Sequence, residues 1–152
     1  MVAIHVKTDE ENIFLFACLC SSSLQDITES VVNIHNLHSK IRFLSLRLHG
    51  CPNLPFSLQR AMSEADAYVS KDQVLRNQSS SPYVLRDHIR RIEKEAMEAS
   101  LEDISIDKYK PVKEENAQIW LAGKRLVRDK QLCDYIGRNE KTKIVVTLKW
   151  DL

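Results

Sequence analysis

The sequence predicts an α+β domain with strands at both ends of the chain and mainly helical segments between them. Three observations carry this. Val2, Ile4 and Val6 alternate with polar or small neighbours at the start; Ile144, Val146, Leu148 and Trp150 alternate with Val145, Thr147 and Lys149 at the end; and several central stretches repeat apolar residues at helical spacing. With 152 residues and 43% hydrophobic content, the chain holds one domain with a real core. A net charge of +1 sets up no global field for nucleic acid or anionic membrane, and no local basic patch is evident along the sequence.

Taken in order, "VAIHVKTDEENIFLFACLC" alternates, breaks at the polar "TDEEN" and resumes with β-prone residues, the pattern of an antiparallel hairpin. Ser23, with Asp26 three residues on, opens a helix striped by Leu24, Ile27, Val31 and Ile34 that covers one face of the hairpin. The stretch "KIRFLSLRLHGCPNLP" carries apolar residues at both helical and strand spacing, so its type stays open until Gly50, Pro52 and Pro55 end it. Ser57 then caps "LQRAMSEADAYVSKDQVL", with Leu58, Ala61, Met62, Ala65 and Val69 on one face. After the polar joint "NQSSS", Ser81 and Pro82 start a second helix through about Ser100, striped by Leu85, Ile89, Ile92 and Ala96 and packed antiparallel to the first. "LEDISIDKYKPVKEEN" lacks periodicity and reads as an excursion returning to the sheet. Residues 117–131 read either as one amphipathic helix or as two short strands turning at Gly123, followed by a helical turn around Leu132 to Tyr135. Gly137 suits a left-handed cap before the last strand.

The string "AQIWLAGKRL...KQLCDYIGRNEKTKIVV" closely resembles the LWWAGKEL and LSDYxGKNEKTKI motifs of the Kurly family of cilia- and flagella-associated proteins, the cilia- and flagella-associated protein 298 family. The match runs through Trp120, Ala122, Gly123, Lys124, Leu126, Leu132, Asp134, Tyr135, Gly137 and Asn139 to Ile144. The opening "MVAIHVK", "SLQDITESVVNIHN", "HGCPNLP" and "LQRAMSEADAYVSKDQV" resemble further family segments. The chain departs from the pattern in being compressed before His49, in lacking a Gly/Pro-rich stretch after the second middle helix and a C-terminal tail, and in Leu121 where a second Trp is usual. Both ends also resemble the ubiquitin-like β-grasp fold. That resemblance implies one domain over 1–152, with residues 1–40 and 116–152 as the sheet-forming halves and 41–115 as a mainly helical insertion. The sequence ends "KWDL" without a Gly-Gly tail, so conjugation to other proteins is not expected.

The chemistry in the sequence is sparse. His35 and His38 with Cys18, Cys20, His49 or Cys51 form no recognised zinc spacing and are expected to be packing or surface residues. Cys133 lies among Arg128, Lys130 and Asp134 but stands at a serine-like place in the family motif, so it is read as a small residue in a turn rather than a nucleophile. The three glycines are scattered and make no phosphate loop. No catalytic residue, metal or cofactor is therefore expected, and the chain is read as a non-enzyme. The basic clusters "RDHIRR" and "GKRLVRDK" are mixed with acids and lack aromatic interleaving, so nucleic acid is not expected as a partner. Trp120 and Trp150 are expected in the core. "IFLFACLC" is too short for a membrane helix and follows an acidic flank, and the four cysteines suggest reduced thiols in the cytoplasm.

The family resemblance implies an adaptor or assembly factor for motile cilia. It would support dynein-arm assembly or docking by protein binding, with enrichment at the ciliary base and a link to planar cell polarity; oligomeric state is left open. The competing reading is a general ubiquitin-like interaction module in trafficking or protein quality control. The expected partner-binding residues are Asp134, Tyr135, Arg138, Asn139, Glu140, Lys141 and Lys143, on a short charged turn able to fix register electrostatically.

Overall fold

A computed structural model describes residues 1–8, 12–99 and 109–151. The chain begins with an antiparallel hairpin, β1 (Val2–Lys7) and β2 (Ile13–Cys18), paired from Val2↔Cys18 to Lys7↔Ile13. Val2, Ile4 and Val6 are all buried, as the alternation predicts. Asp9 to Glu11 of the expected polar turn lie outside the described residues.

Helix α1 spans Leu24–His49, a rod of about 39 Å at 1.5 Å per residue. The Ser23 hydroxyl accepts the Asp26 backbone N–H at 3.1 Å, satisfying one of the free donors at the helix start. The ambiguous stretch after Lys40 is helical. Its apolar residues Ile41, Leu44 and Leu48 continue the stripe set by Ile27, Val31 and Ile34, and all six are buried. A helix already running with its stripe in phase gains a hydrogen bond per added residue, so continuation wins over a new strand.

Two expectations for the middle are corrected. Pro55, not Ser57, is the N-cap of α2 (Phe56–Tyr68). The run to Leu75 is also not one helix: Ser70 is extended, and a separate short helix α3 (Lys71–Leu75) follows. The Ser70 hydroxyl donates to the Ala67 carbonyl at 2.7 Å, a local bond that competes with helix continuation. The bend carries the chain toward β2, where the Ser80 N–H donates to the Leu15 carbonyl at 3.0 Å and covers part of the edge strand. Helix α4 (Pro82–Glu98) starts at Ser81–Pro82 and buries Leu85, Ile89, Ile92 and Ala96 as expected. The predicted end near Ser100 lies outside the described residues. α2 and α4 run antiparallel, with Glu64 paired to Arg91 and the Tyr68 and His88 rings 5.4 Å apart.

The returning chain is tied to α1 by Asn36. Its side chain accepts the Val112 N–H and donates to the Val112 carbonyl, each at 2.9 Å, while its backbone carbonyl accepts the Tyr109 hydroxyl at 2.8 Å. A 3-10 turn (Glu114–Asn116) leads into β3 (Ala117–Leu121) and β4 (Lys124–Arg125), so residues 117–125 resolve as strand, turn, strand. Ala122 and Gly123 both have positive φ, 51° and 79°, as a two-residue type I′ hairpin requires. The short helix α5 (Cys133–Ile136) and the last strand β5 (Lys143–Trp150) complete the chain.

The sheet order is β2-β1-β5-β3-β4, with β1 and β5 parallel in the middle and the other pairs antiparallel. Together with α1 across one face, this is a ubiquitin-like β-grasp sheet built from both chain ends and split by a largely helical insertion. One hydrophobic cluster runs from the inward sheet face through α1 to α2 and α4. α1 spans both layers: the His35 ring lies 4.8 Å from that of Trp150 of β5, tilted by 41°, while Ser45 donates to Asp66 of α2 at 3.0 Å and Lys40 pairs with Glu93 of α4 at 3.5 Å. Among the described residues, no helix is long and apolar enough to cross a membrane.

Candidate partner-binding surface

The expected binding turn is mounted on a rigid base. After β4, Leu126 and Leu132 are buried, and the segment between them clasps the start of α1. The Leu24 N–H donates to the Lys130 carbonyl at 2.8 Å, the Leu132 N–H to Ser22 at 2.9 Å and the Cys133 N–H to Cys20 at 2.8 Å. Arg128 pairs with the Glu114 side chain and donates to the Ala117 carbonyl at 2.7 Å. These bonds use the free donors and acceptors of a short irregular stretch, fixing what would otherwise be a loose loop.

The seven predicted residues divide into two groups. Four are committed internally. The Asp134 carboxylate accepts the Gln131 N–H at 2.9 Å. The Tyr135 hydroxyl accepts the Val127 N–H at 2.9 Å, and its ring carries the ammonium groups of Lys124 and Lys130 at 5.2 and 5.8 Å. The Asn139 side chain accepts the Lys141 N–H at 3.0 Å, and its carbonyl accepts the Thr142 N–H and hydroxyl at 3.1 and 2.7 Å, closing the turn before β5. Glu140 points back into the protein and accepts the Cys20 N–H at 2.9 Å. Beside the Cys20 thiol this carboxylate is held below the usual carboxylate range by hydrogen bonds from Cys20, and the thiol is pushed up mainly by its hydrogen bond to Glu140.

The other three, Arg138, Lys141 and Lys143, are exposed and make no side-chain ion pair or hydrogen bond among the described residues. The turn therefore presents three free cations on a frame built by the other four residues. Gly137, which precedes it, departs from the expected left-handed cap: φ is positive at 81°, but ψ is −171°. That region is reached essentially only by glycine, so the residue sets the direction in which the charged turn leaves α5.

The remaining sequence candidates settle into structural places. His35 and His38 are 2% and 1% exposed. His38 Nε2 lies 3.0 Å from the Ser80 hydroxyl, and His35 Nδ1 lies 3.3 Å from the Asn12 amide. Burial, reinforced by the Arg42 charge, pushes their pKa values down to about 4 and about 3, so both rings are neutral at pH 7. The four cysteines are free thiols, and burial pushes Cys18 up to about 11. No group of three His, Cys, Asp or Glu among the described residues is arranged to hold a metal. The cluster "RDHIRR" is partly neutralised by Arg91–Glu64 and Arg90–Asp87. Trp150 packs on the core as expected, but Trp120 does not: by strand alternation it faces outward, half-buried, beneath the Lys149 ammonium at 5.2 Å. This placement needed the strand register, which the sequence leaves open at residues 117–131.

Comparison with known proteins bears directly on this region. A family model described as cilia- and flagella-associated protein 298 matches residues 117–151, from β3 to the end of β5. Relatives bearing that name in Rattus norvegicus, Mus musculus and Homo sapiens are 23%, 24% and 23% identical. Each alignment covers 98% of this chain and 76% of the relative. It extends over 223 positions against a chain of 152, so a sizeable block of the relatives' residues has no counterpart here. Over 38 residues, 25% of this chain and 14% of the relative, identity to cilia- and flagella-associated protein 298-B of Xenopus laevis rises to 50%.

Proposed function

We propose that the chain, whose residues 117–151 match the cilia- and flagella-associated protein 298 family model and which aligns with relatives of that name over nearly its full length, is a member of that family and a non-enzymatic adaptor or assembly factor for motile cilia. Its role is protein binding in support of dynein-arm assembly or docking, in the cytoplasm and at the ciliary base, with planar cell polarity as a second process drawing on ciliary placement. The observation that supports this reading best is the coincidence of the family match with the charged turn. The matched segment includes the residues that build the frame and the three cations it displays. Exposed charges on a rigid turn steer encounter and fix register at little ordering cost.

The test is removal of the protein from a cell with motile cilia, followed by rescue with the wild type or with Arg138→Glu/Lys141→Glu. Loss of beating and of dynein arms in electron micrographs, restored by the wild type and not by the folded double variant, is the expected result. Normal arms and normal beating after removal would defeat the ciliary reading. Such a result combined with a defect in protein turnover or vesicle traffic would favour the general ubiquitin-like interaction module, to which the sheet topology also conforms.

A further inference from the structure

We propose that the outward face of the sheet is a second docking surface, fitted to an acidic, extended segment of a protein partner. The registers define this face. Lys7 of β1, Thr147 of β5, Trp120 of β3 and Arg125 of β4 are successive partners and form one row across four strands. At the usual spacing between neighbouring strands the row is about 14 Å wide. His5 and Val145 form the next row, Ala3 and Lys143 the one after, and Gln118 and Lys149 lie on the other side.

Lys7, Arg125, Lys143 and Lys149 are all exposed, and none has an ion-pair partner among the described residues. No Asp or Glu stands at an outward strand position. Among the described residues a carboxylate, Asp151, stands at the corner, 3.5 Å from the Gln118 amide. A chain with a net charge of only +1 thus gathers four cations without an ion-pair partner among the described residues on one surface, while carboxylates such as Glu64, Glu93 and Glu114 are paired elsewhere. The sequence does not show this patch because its members are drawn from strands at opposite ends of the chain. Toward β2 the face is closed, where Ser80 caps the edge and Leu15 is only 3% exposed. Over β1, β5, β3 and β4 it is open.

Charge complementarity selects an acidic occupant, and the apolar content selects a peptide over single-stranded nucleic acid. Val145, 50% exposed at the centre, suits an aliphatic side chain. Among the described residues the face carries two aromatic rings, His5 and Trp120; Trp120 already lies beneath Lys149 and bonds Gln118 through its indole N–H at 3.2 Å, so there is no row of free rings for bases to stack on. This surface is independent of the proposed turn except at Lys143, which belongs to both.

The experiment measures binding of a fluorescent Asp/Glu-rich peptide of about twelve residues, carrying two leucines, to the full chain at low and physiological salt. Three folded double variants are compared: Lys7→Glu/Lys149→Glu on the face, Arg138→Glu/Lys141→Glu on the turn, and Arg90→Glu/Lys94→Glu on α4. All three change net charge equally. The expected result is a loss of about tenfold or more for the face variant and little change for the α4 variant. The peptide also shifts the intrinsic fluorescence, and Trp120→Phe abolishes the shift. Equal losses in the face and α4 variants would reduce the effect to bulk charge and overturn the proposal. Loss confined to the turn variant would overturn it while leaving the turn reading intact. Tighter binding of an oligouridylate of the same length, or of phosphatidylserine vesicles, would overturn the acidic-protein assignment.

Discussion

Two turn residues with positive φ make opposite predictions. Ala122 occupies the first central position of the β3–β4 hairpin at φ 51°, where an L residue other than Asn or Asp is strained. Replacing it by Asn, the residue the turn prefers, is expected to raise stability by about 0.5–1 kcal/mol, read as an upward shift of the urea midpoint. Gly137 is the reverse case. An added Cβ there meets nothing within 4 Å, so space is not the obstacle. The backbone is, and Gly137→Ala is expected to lower stability by about 1–3 kcal/mol. If the Ala variant melts like the wild type, the glycine is not needed for its conformation. At this scale the sequence was partly legible: Gly123 and Gly137 both mark turns, but no local pattern reports the ψ of −171° at Gly137.

The elements that the sequence specified best were those with a single buried face. The stripe of α4 and the alternation of β1 and β5 each matched residue for residue because burial on one side forces a period. The ambiguous cases were decided by neighbours. Residues 41–48 are helical because a stripe was already in phase, residues 117–125 are strands because β5 offers an edge, and the split at Ser70 follows from packing against β2. The binding turn was legible as a string but not as a division of labour, since both Glu140 and Asn139 look like surface residues until their partners are placed. A further contact of this kind joins two elements through Asn36. Asn36→Ala removes both side-chain bonds to Val112 and is expected to cost about 1–2 kcal/mol, with faster amide exchange at Val112 than at residues of α4. Unchanged exchange at Val112 would show that α1 does not hold the returning chain in this way.

At the scale of the whole molecule, the buried histidines make stability depend on pH. Their folded pKa values, about 4 for His35 and about 3 for His38, lie below the 6.5 of an unfolded chain. Above pH 6.5 both are neutral in either state and the fold keeps its full stability. As pH falls below 6.5 the unfolded chain takes up protons that the native state refuses until about pH 4 and 3, so stability falls through that window. At pH 5 each histidine contributes a loss of about 2 kcal/mol. His38→Gln, whose amide can still meet Ser80, is expected to remove its own share, about 2 kcal/mol, of the decline between pH 7 and pH 5 in urea titrations, leaving the shares of His35 and of His88, whose pKa burial also lowers. A slope unchanged by the substitution would assign the acid sensitivity to other groups. The central pairing of β1 with β5 has a different consequence, one of timing. β1 ends at Lys7 and its parallel partner β5 begins only at Lys143, so the ribosome makes all the intervening chain before the two can pair. At about 5–20 residues per second the nascent hairpin waits on the order of ten seconds or more with one of its edges unpaired. Completion of the sheet therefore waits for the whole insertion to be made, and until then the emerging chain depends on something else to keep that edge from pairing with the wrong strand.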